Sequence, residues 1–131
     1  QLEYSIGYVE LVYALQNQLQ YALVKNAEGE FVKPSLEALT KAAEQSVAEM
    51  PEDLRLSITN AKGKESYPIS SYTYLLVYEK QKDAFKGKIL KEFLTWALSS
   101  GESYASELGY APLPKVVIEK AMQKVNKITV P

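Results

Sequence analysis

Apolar positions recur along this chain with two periods, and the switches between them mark its elements. Tyr4, Ile6 and Tyr8 alternate with Ser5 and Gly7, which suits a strand end. From Val9 to Leu19 the period becomes helical, with Tyr8, Val12, Leu15 and Leu19 on one face. Tyr21 to Val24 reads as a strand, the Asn26–Glu30 stretch as a turn with Gly29 free to take positive φ, and Phe31-Val32 as a short return strand. Ser35 is placed to cap a helix whose stripe is Leu36, Leu39, Ala43, Val47 and Met50, and Pro51 ends it. Leu54, Leu56 and Ile58 alternate with polar residues, as a half-buried strand does.

The segment Ser71 to Tyr78 has the strongest strand pattern. Tyr72, Tyr74, Leu76 and Tyr78 form one face and Thr73, Leu75 and Val77 the other, so the pattern predicts a strand covered on both sides. Beyond Tyr78 the pattern is all helical. Asp83 can cap a helix to about Ser100, with Ile89, Leu90, Phe93, Leu94 and Ala97 inward and Gly101 at the left-handed position after it. A short helix from Glu102 to Leu108 stops at Gly109. The last helix begins at Pro114 and carries Val117, Ile118, Ala121, Val125 and Ile128 on one face. The order β-α-β-(β)-α-β, then β-α-α-α, predicts an α/β fold with a mostly parallel sheet flanked by helices and an all-helical C-terminal end.

Composition narrows the chemistry. The chain has 131 residues, the length of one modest domain, and is 47% hydrophobic, enough to build a core. Fifteen basic side chains face sixteen acidic ones, so charge makes no case for nucleic acid or an anionic membrane. The absence of Cys and His removes disulfides, thiol nucleophiles, Cys or His metal sites and imidazole acid–base chemistry. The ten Tyr are spread over every expected element, which favours core packing over a base-stacking platform. The chain opens Gln1-Leu2-Glu3 with no visible signal peptide, one that could have been removed or never included.

Candidate sites are few. Lys62-Gly63-Lys64 resembles the end of a phosphate-binding loop, but Ile58 stands where its first Gly belongs and Glu65 follows Lys64, so a surface turn is expected. Glu52 and Asp53 beside Arg55 read as a solvated charge cluster rather than an acid site. Ser70, Ser71 and Thr73 are the local candidates for holding an oxyanion through hydroxyl and backbone donors; hydrogen bonding at a strand start is the favoured alternative. No base or metal ligand accompanies these hydroxyls, so no catalytic residue and no metal site is assigned.

Several strings, in order, carry a resemblance. They are Tyr4-Ser5-Ile6-Gly7-Tyr8-Val9-Glu10, Tyr13-Ala14-Leu15-Gln16-Asn17 and Val24-Lys25-Asn26. Then come the stretch from Phe31 to Glu37, Leu56-Ser57-Ile58-Thr59-Asn60, the stretch from Tyr67 to Thr73, and Leu108-Gly109-Tyr110-Ala111-Pro112-Leu113-Pro114. From about Tyr4 to Ile128 the chain resembles the C-terminal part of the phosphate-binding protein of bacterial ABC phosphate-uptake transporters. The resemblance implies the C-terminal portion of a type II periplasmic-binding-protein fold, with two α/β lobes closing on inorganic phosphate. It implies no enzymatic activity, cofactor or metal. It also implies a periplasmic or lipid-anchored location and an ABC permease in the inner membrane as partner.

On that resemblance, residues 1–66 belong to the second lobe, 67–78 form the return strand through the hinge, and 79–131 supply helices of the first lobe. The family's phosphate ligands lie upstream of the Ile6–Glu10 string: a Thr-containing loop, Ser and Asp of one lobe, Arg and a Ser-Gly-Thr motif of the other. None of these motifs is in this chain, Glu3 replaces a common Pro, and Arg55 stands outside the matching motif. The expected function is therefore the phosphate-binding component, here a segment whose further partner is the missing N-terminal half. The alternative is a self-standing interaction or structural module derived from that tail, as a strand-exchanged dimer in one form.

Overall fold

The computed structural model describes residues 3–131; positions 1 and 2, where the leader question and the expected 1–66 segment begin, lie outside the described residues. Element order is α1 (Leu11–Gln16), β1 (Val24–Lys25), β2 (Phe31–Val32), α2 (Leu36–Ser46), α3 (Ala84–Ala97) and α4 (Lys115–Asn126). Short 3-10 turns follow α2 at Val47–Glu49 and α3 at Ser100–Tyr104. Among the described residues the only sheet is the antiparallel pair β1–β2, with Val24 opposite Val32. The expected mostly parallel sheet is thus not found among the described residues, where an isolated parallel bridge joins Lys80 and Thr129.

The helices form where local signals are complete. Ser35 accepts a hydrogen bond from Ala38 N–H at 3.1 Å and Asp83 accepts one from Lys86 N–H at 2.9 Å, so α2 and α3 start at their caps. Pro114 is the residue before α4 rather than its first turn. Helix α1 is shorter than its apolar period predicts. Gln18 takes positive φ, Gln18 N–H reaches Leu15 O and Leu19 N–H reaches Ala14 O, which together close the helix in a Schellman turn. The expected face therefore stays open, with Tyr8, Leu15 and Leu19 exposed.

The same turn recurs at residues 105–110, where Gly109 takes the positive φ, its N–H reaches Ser106 O, and Tyr110 N–H reaches Ala105 O. Gly29 is left-handed as expected. Gly101 is not. It lies inside the 3-10 turn, where a Cβ would sit 3.0 Å from Trp96 O and 3.2 Å from its ring.

Burial falls in two places. Leu94, Val125 and Ile128 are buried together, with Val77, Leu90, Leu98 and Met122 packed against them. On the other side α2 turns inward Ala38, Ala42, Ala43 and Ser46, while Leu36, Leu39 and Val47 are only half-buried. The expected Leu-rich stripe is thus rotated toward small residues, which let the 61–70 loop approach, as Tyr67 N–H bonding to Ala38 O shows. Side chains tie the two parts together. Thr40 Oγ1 donates to Pro112 O at 3.1 Å, Lys120 Nζ donates to Met50 O at 3.1 Å, and Glu52 meets Lys127 at 2.7 Å.

Candidate functional site

The loop bearing the candidate hydroxyls is held from both ends. Asn60 N–H donates to Pro68 O at 2.7 Å, and the Asn26 side chain grips the preceding turn. Asn26 is buried; its Nδ2 faces Gly63 O, Lys64 O and Ser66 O at 3.1, 2.9 and 3.3 Å. Its Oδ1 accepts from Glu28 N–H and Glu30 N–H at 3.0 Å each. Ser66 is fully buried beneath this knot and donates to Lys62 O at 2.7 Å. Lys62-Gly63-Lys64 is therefore a surface turn fastened from below, as its sequence predicts.

The three candidate hydroxyls are adjacent in sequence but face different surroundings. Ser70 is buried and its hydroxyl donates to Tyr67 O at 2.6 Å, closing a turn. Ser71 is exposed and donates to Tyr72 O at 3.2 Å. Thr73 is exposed. Ser70 thus serves its own backbone, and only Ser71 and Thr73 present hydroxyl groups to solvent.

The acidic cluster divides between two partners. Asp53 is chelated by Arg55, the only Arg in the sequence, through Nη2 at 2.7 Å and Nε at 2.9 Å. The Arg55 side-chain hydrogen bond holds the Asp53 carboxyl below the usual range. Glu52 is held low in the same direction, first by its hydrogen bond from Lys127 and then by the charges of Lys127 and Lys124. A general acid needs the opposite shift, so neither carboxyl is suited to donate a proton near neutral pH.

Sequence reasoning missed two side chains. Asn26 reads as a turn residue, yet the partners of its Nδ2 lie 37 to 40 positions away. Tyr74 reads as a core aromatic, yet its hydroxyl donates to Leu56 O at 2.9 Å and accepts from Leu56 N–H at 3.2 Å. That pairing takes the place of a neighbouring strand for one residue of the 54–58 segment, which forms no strand and begins at Leu54 with a positive φ. Tyr72 packs edge-on against Tyr74 at 6.1 Å; its hydroxyl is buried without a hydrogen-bond partner among the described residues, and burial pushes its pKa up.

The 71–78 segment departs from its sequence pattern. It forms no strand, and no backbone N–H or C=O within it pairs with another backbone group among the described residues. Leu76 is 96% and Leu75 70% exposed, so both faces are largely open where burial on both sides is predicted. Only Val77 turns into the Leu94 cluster. The segment runs beside α3 and leaves a groove of about 340 Å³ bounded by Leu75, Leu76, Tyr78, Leu90 and Phe93. Ile89 and Phe93, expected inward, lie on the open side of α3.

Among the described residues no group of three or more acidic side chains is placed to hold a metal ion, and no helix is long and apolar enough to cross a membrane.

Comparison with known proteins gives these features a context. The sequence model of a PBP superfamily domain matches residues 2–101. The chain is 39% identical over 120 residues to the phosphate-binding protein PstS of Xylella fastidiosa strain 9a5c, covering 92% of this chain and 33% of that protein. It is 38% identical to the phosphate-binding protein PstS of Pasteurella multocida, over 91% of this chain and 35% of that protein. It is 36% identical to that of Methanocaldococcus jannaschii, over 95% and 35% respectively. The chain spans about a third of the length of the curated relatives it matches. All three carry the name of binding proteins rather than enzymes.

Proposed function

The chain belongs to the PBP superfamily domain family, and from that premise we propose that it is part of the inorganic-phosphate-binding component of an ABC phosphate importer. The observation that carries this reading is the 39% identity to a phosphate-binding protein over 92% of the chain, at only 33% of that protein's length. The chain is a C-terminal segment of a type II two-lobed fold: residues 1–66 belong to the second lobe, 67–78 cross the hinge and 79–131 supply helices of the first. The helical run α3 to α4 after a 71–78 segment that pairs with no other backbone supports that division.

The phosphate ligands are contributed by the polypeptide outside this chain. Ser71 and Thr73 are the hydroxyls on this side that remain open to a bound anion, while Ser70 holds the turn behind them. The protein binds and releases phosphate without chemical turnover, at the periplasmic face or on a lipid anchor, and delivers it to the membrane permease. The test is a chimera in which this chain replaces the matching third of the X. fastidiosa protein. The chimera is expected to bind phosphate by calorimetry and the isolated chain is not. A chimera that folds and binds no phosphate refutes the reading, and so does sub-millimolar affinity in the chain alone.

A second reading is favoured by one observation, the open edge of residues 71–78. Two copies pairing along that edge would form a strand-exchanged dimer acting as an interaction module. Light scattering on the isolated chain separates the two, since that reading requires a stable dimer.

A further inference from the structure

The loop from Gly109 to Pro114 has no part in the site described above, yet it is firmly built. Gly109 takes φ of +81°, Tyr110 N–H donates to Ala105 O at 2.9 Å, and Leu113 N–H donates to Glu102 Oε1 at 2.6 Å. Pro112 and Pro114 hold φ and have no N–H to satisfy. The loop also meets the first part of the chain. A Cβ on Gly109 would lie 2.7 Å from Val12 Cγ2, so α1 sits directly on the loop backbone. Thr40 Oγ1 of α2 donates to Pro112 O at 3.1 Å, a part-buried bond across 72 positions. Helix α4, which the loop enters, adds its own contacts. Lys120 Nζ donates to the O of buried Met50 at 3.1 Å, and Lys124 and Lys127 reach Glu52 at 3.5 and 2.7 Å. Glu52 is exposed, so its pairs contribute little. The part-buried bonds of Thr40 and Lys120 are the stronger ties.

We propose that these contacts form a brace between the two lobes, in which Thr40 and Lys120 are positioning residues that set how readily the protein opens and closes on phosphate. The brace rests on the lobe division given under the proposed function. Val12, Thr40 and Met50 precede the 67–78 crossing, and Gly109, Pro112 and Lys120 follow it. A rotation of one lobe against the other about that crossing displaces the partners. A shift of about 0.5–1 Å takes a bond of this length out of hydrogen-bonding range. The brace therefore belongs to one lobe arrangement and not to the other. Contacts made in only one of two arrangements bias the balance between them, and phosphate affinity follows that balance. Thr40 and Lys120 act through the lobe angle and need no contact with the anion.

The test uses the chimera described above, which carries the whole brace. Thr40→Val and Lys120→Met remove the donors and keep the side-chain volume. Each is expected to move the phosphate Kd by calorimetry about two- to tenfold, both in the same direction. Thr40→Ser and Lys120→Arg restore the donors and are expected to return the Kd to that of the parent. A second readout does not need phosphate binding. This chain has no Cys, so Glu37→Cys on α2 and Gln123→Cys on α4 take nitroxide labels, with any cysteine of the host segment replaced by Ser. The 37–123 separation is expected to shift or broaden in the Val and Met variants. A lowered Tm with unchanged Kd and unchanged separation overturns the brace, as do Kd shifts of opposite sign, and either leaves the functional reading standing. A chimera that folds and binds no phosphate while the variants still move the 37–123 separation refutes the functional reading and retains the brace.

Discussion

Replacing Asn26 with Asp changes one NH₂ into an oxygen and nothing in size, yet it should unfasten the turn that carries residues 61–66. The Asn26 amide has two hydrogens, shared among the carbonyls of Gly63, Lys64 and Ser66, and one oxygen that accepts from Glu28 and Glu30. That is four hydrogen bonds from one buried side chain. At about 0.5–1.5 kcal/mol each, and with some freed partners reaching water, Asn26→Ala should cost about 2–4 kcal/mol. Asn26→Asp keeps both bonds to the oxygen but turns a second oxygen toward three carbonyls and buries a charge. Its cost should match or exceed that of the Ala variant at neutral pH.

The sign with pH follows. The folded state disfavours the charged form, so the introduced carboxyl has a higher pKa folded than unfolded. The penalty is full at neutral pH and shrinks as pH falls through the acid range. Urea denaturation gives the stability, and hydrogen exchange at the Glu28 and Glu30 amides gives the local effect: fast in the Ala variant, protected in the Asp variant. Equal stability of Asn26→Asp and the parent at neutral pH would refute the assignment of Nδ2 as the clasp.

Three further outcomes follow from the same geometry. Gly109→Ala puts a Cβ at positive φ and 2.7 Å from Val12 Cγ2, so a loss of about 2–4 kcal/mol is expected in thermal or urea unfolding. Tyr74→Phe removes the hydroxyl that bonds both Leu56 N–H and O; exchange of the Leu56 amide should quicken, with a stability loss of about 0.5–1.5 kcal/mol. Glu52 has a depressed folded pKa, so its pairing with Lys127 and Lys124 stabilises above the unfolded carboxylate pKa and is lost as pH falls through the folded one. An NMR titration should place Glu52 below ordinary glutamate, and Lys127→Ala should move it back.

Helix positions were legible because their signals are local. Ser35, Asp83 and Pro114 each act within one turn, and each marks a boundary the structure keeps, whereas the expected Glu102–Leu108 helix is a 3-10 turn at Ser100–Tyr104 and Gly109 closes a later turn. The left-handed Gln18 was not legible, since Gln has no special tolerance for positive φ and only the closing bonds to Ala14 and Leu15 place it there. Beyond the Val24–Lys25 and Phe31–Val32 pair, strands were legible as pattern and not as structure. Alternation in Leu54–Ile58 and 71–78 records which residues suit a sheet, but a sheet needs a neighbour, and a strand's neighbour is set by distant chain. The candidate hydroxyls show the same limit. Ser70, Ser71 and Thr73 share a sequence motif, while only the turn closed by Ser70 reveals that their roles differ.

The mismatch between composition and burial is itself an argument. A chain that is 47% hydrophobic should bury its large apolar side chains, yet the largest side chain fully buried here is Ser66. Tyr4, Ile6 and Tyr8 are essentially fully exposed, as is Leu76, and they fall in the two segments with the clearest strand alternation. Random surface hydrophobes would be scattered. These four fall in segments whose pattern predicts a strand, while other exposed apolar side chains, such as Tyr13, Leu108 and Val116, lie elsewhere along the chain. Each buried CH₂ contributes about 0.8 kcal/mol, so covering the exposed parts of Phe85, Ile89, Phe93 and Trp96 would add to what the Leu94 cluster contributes.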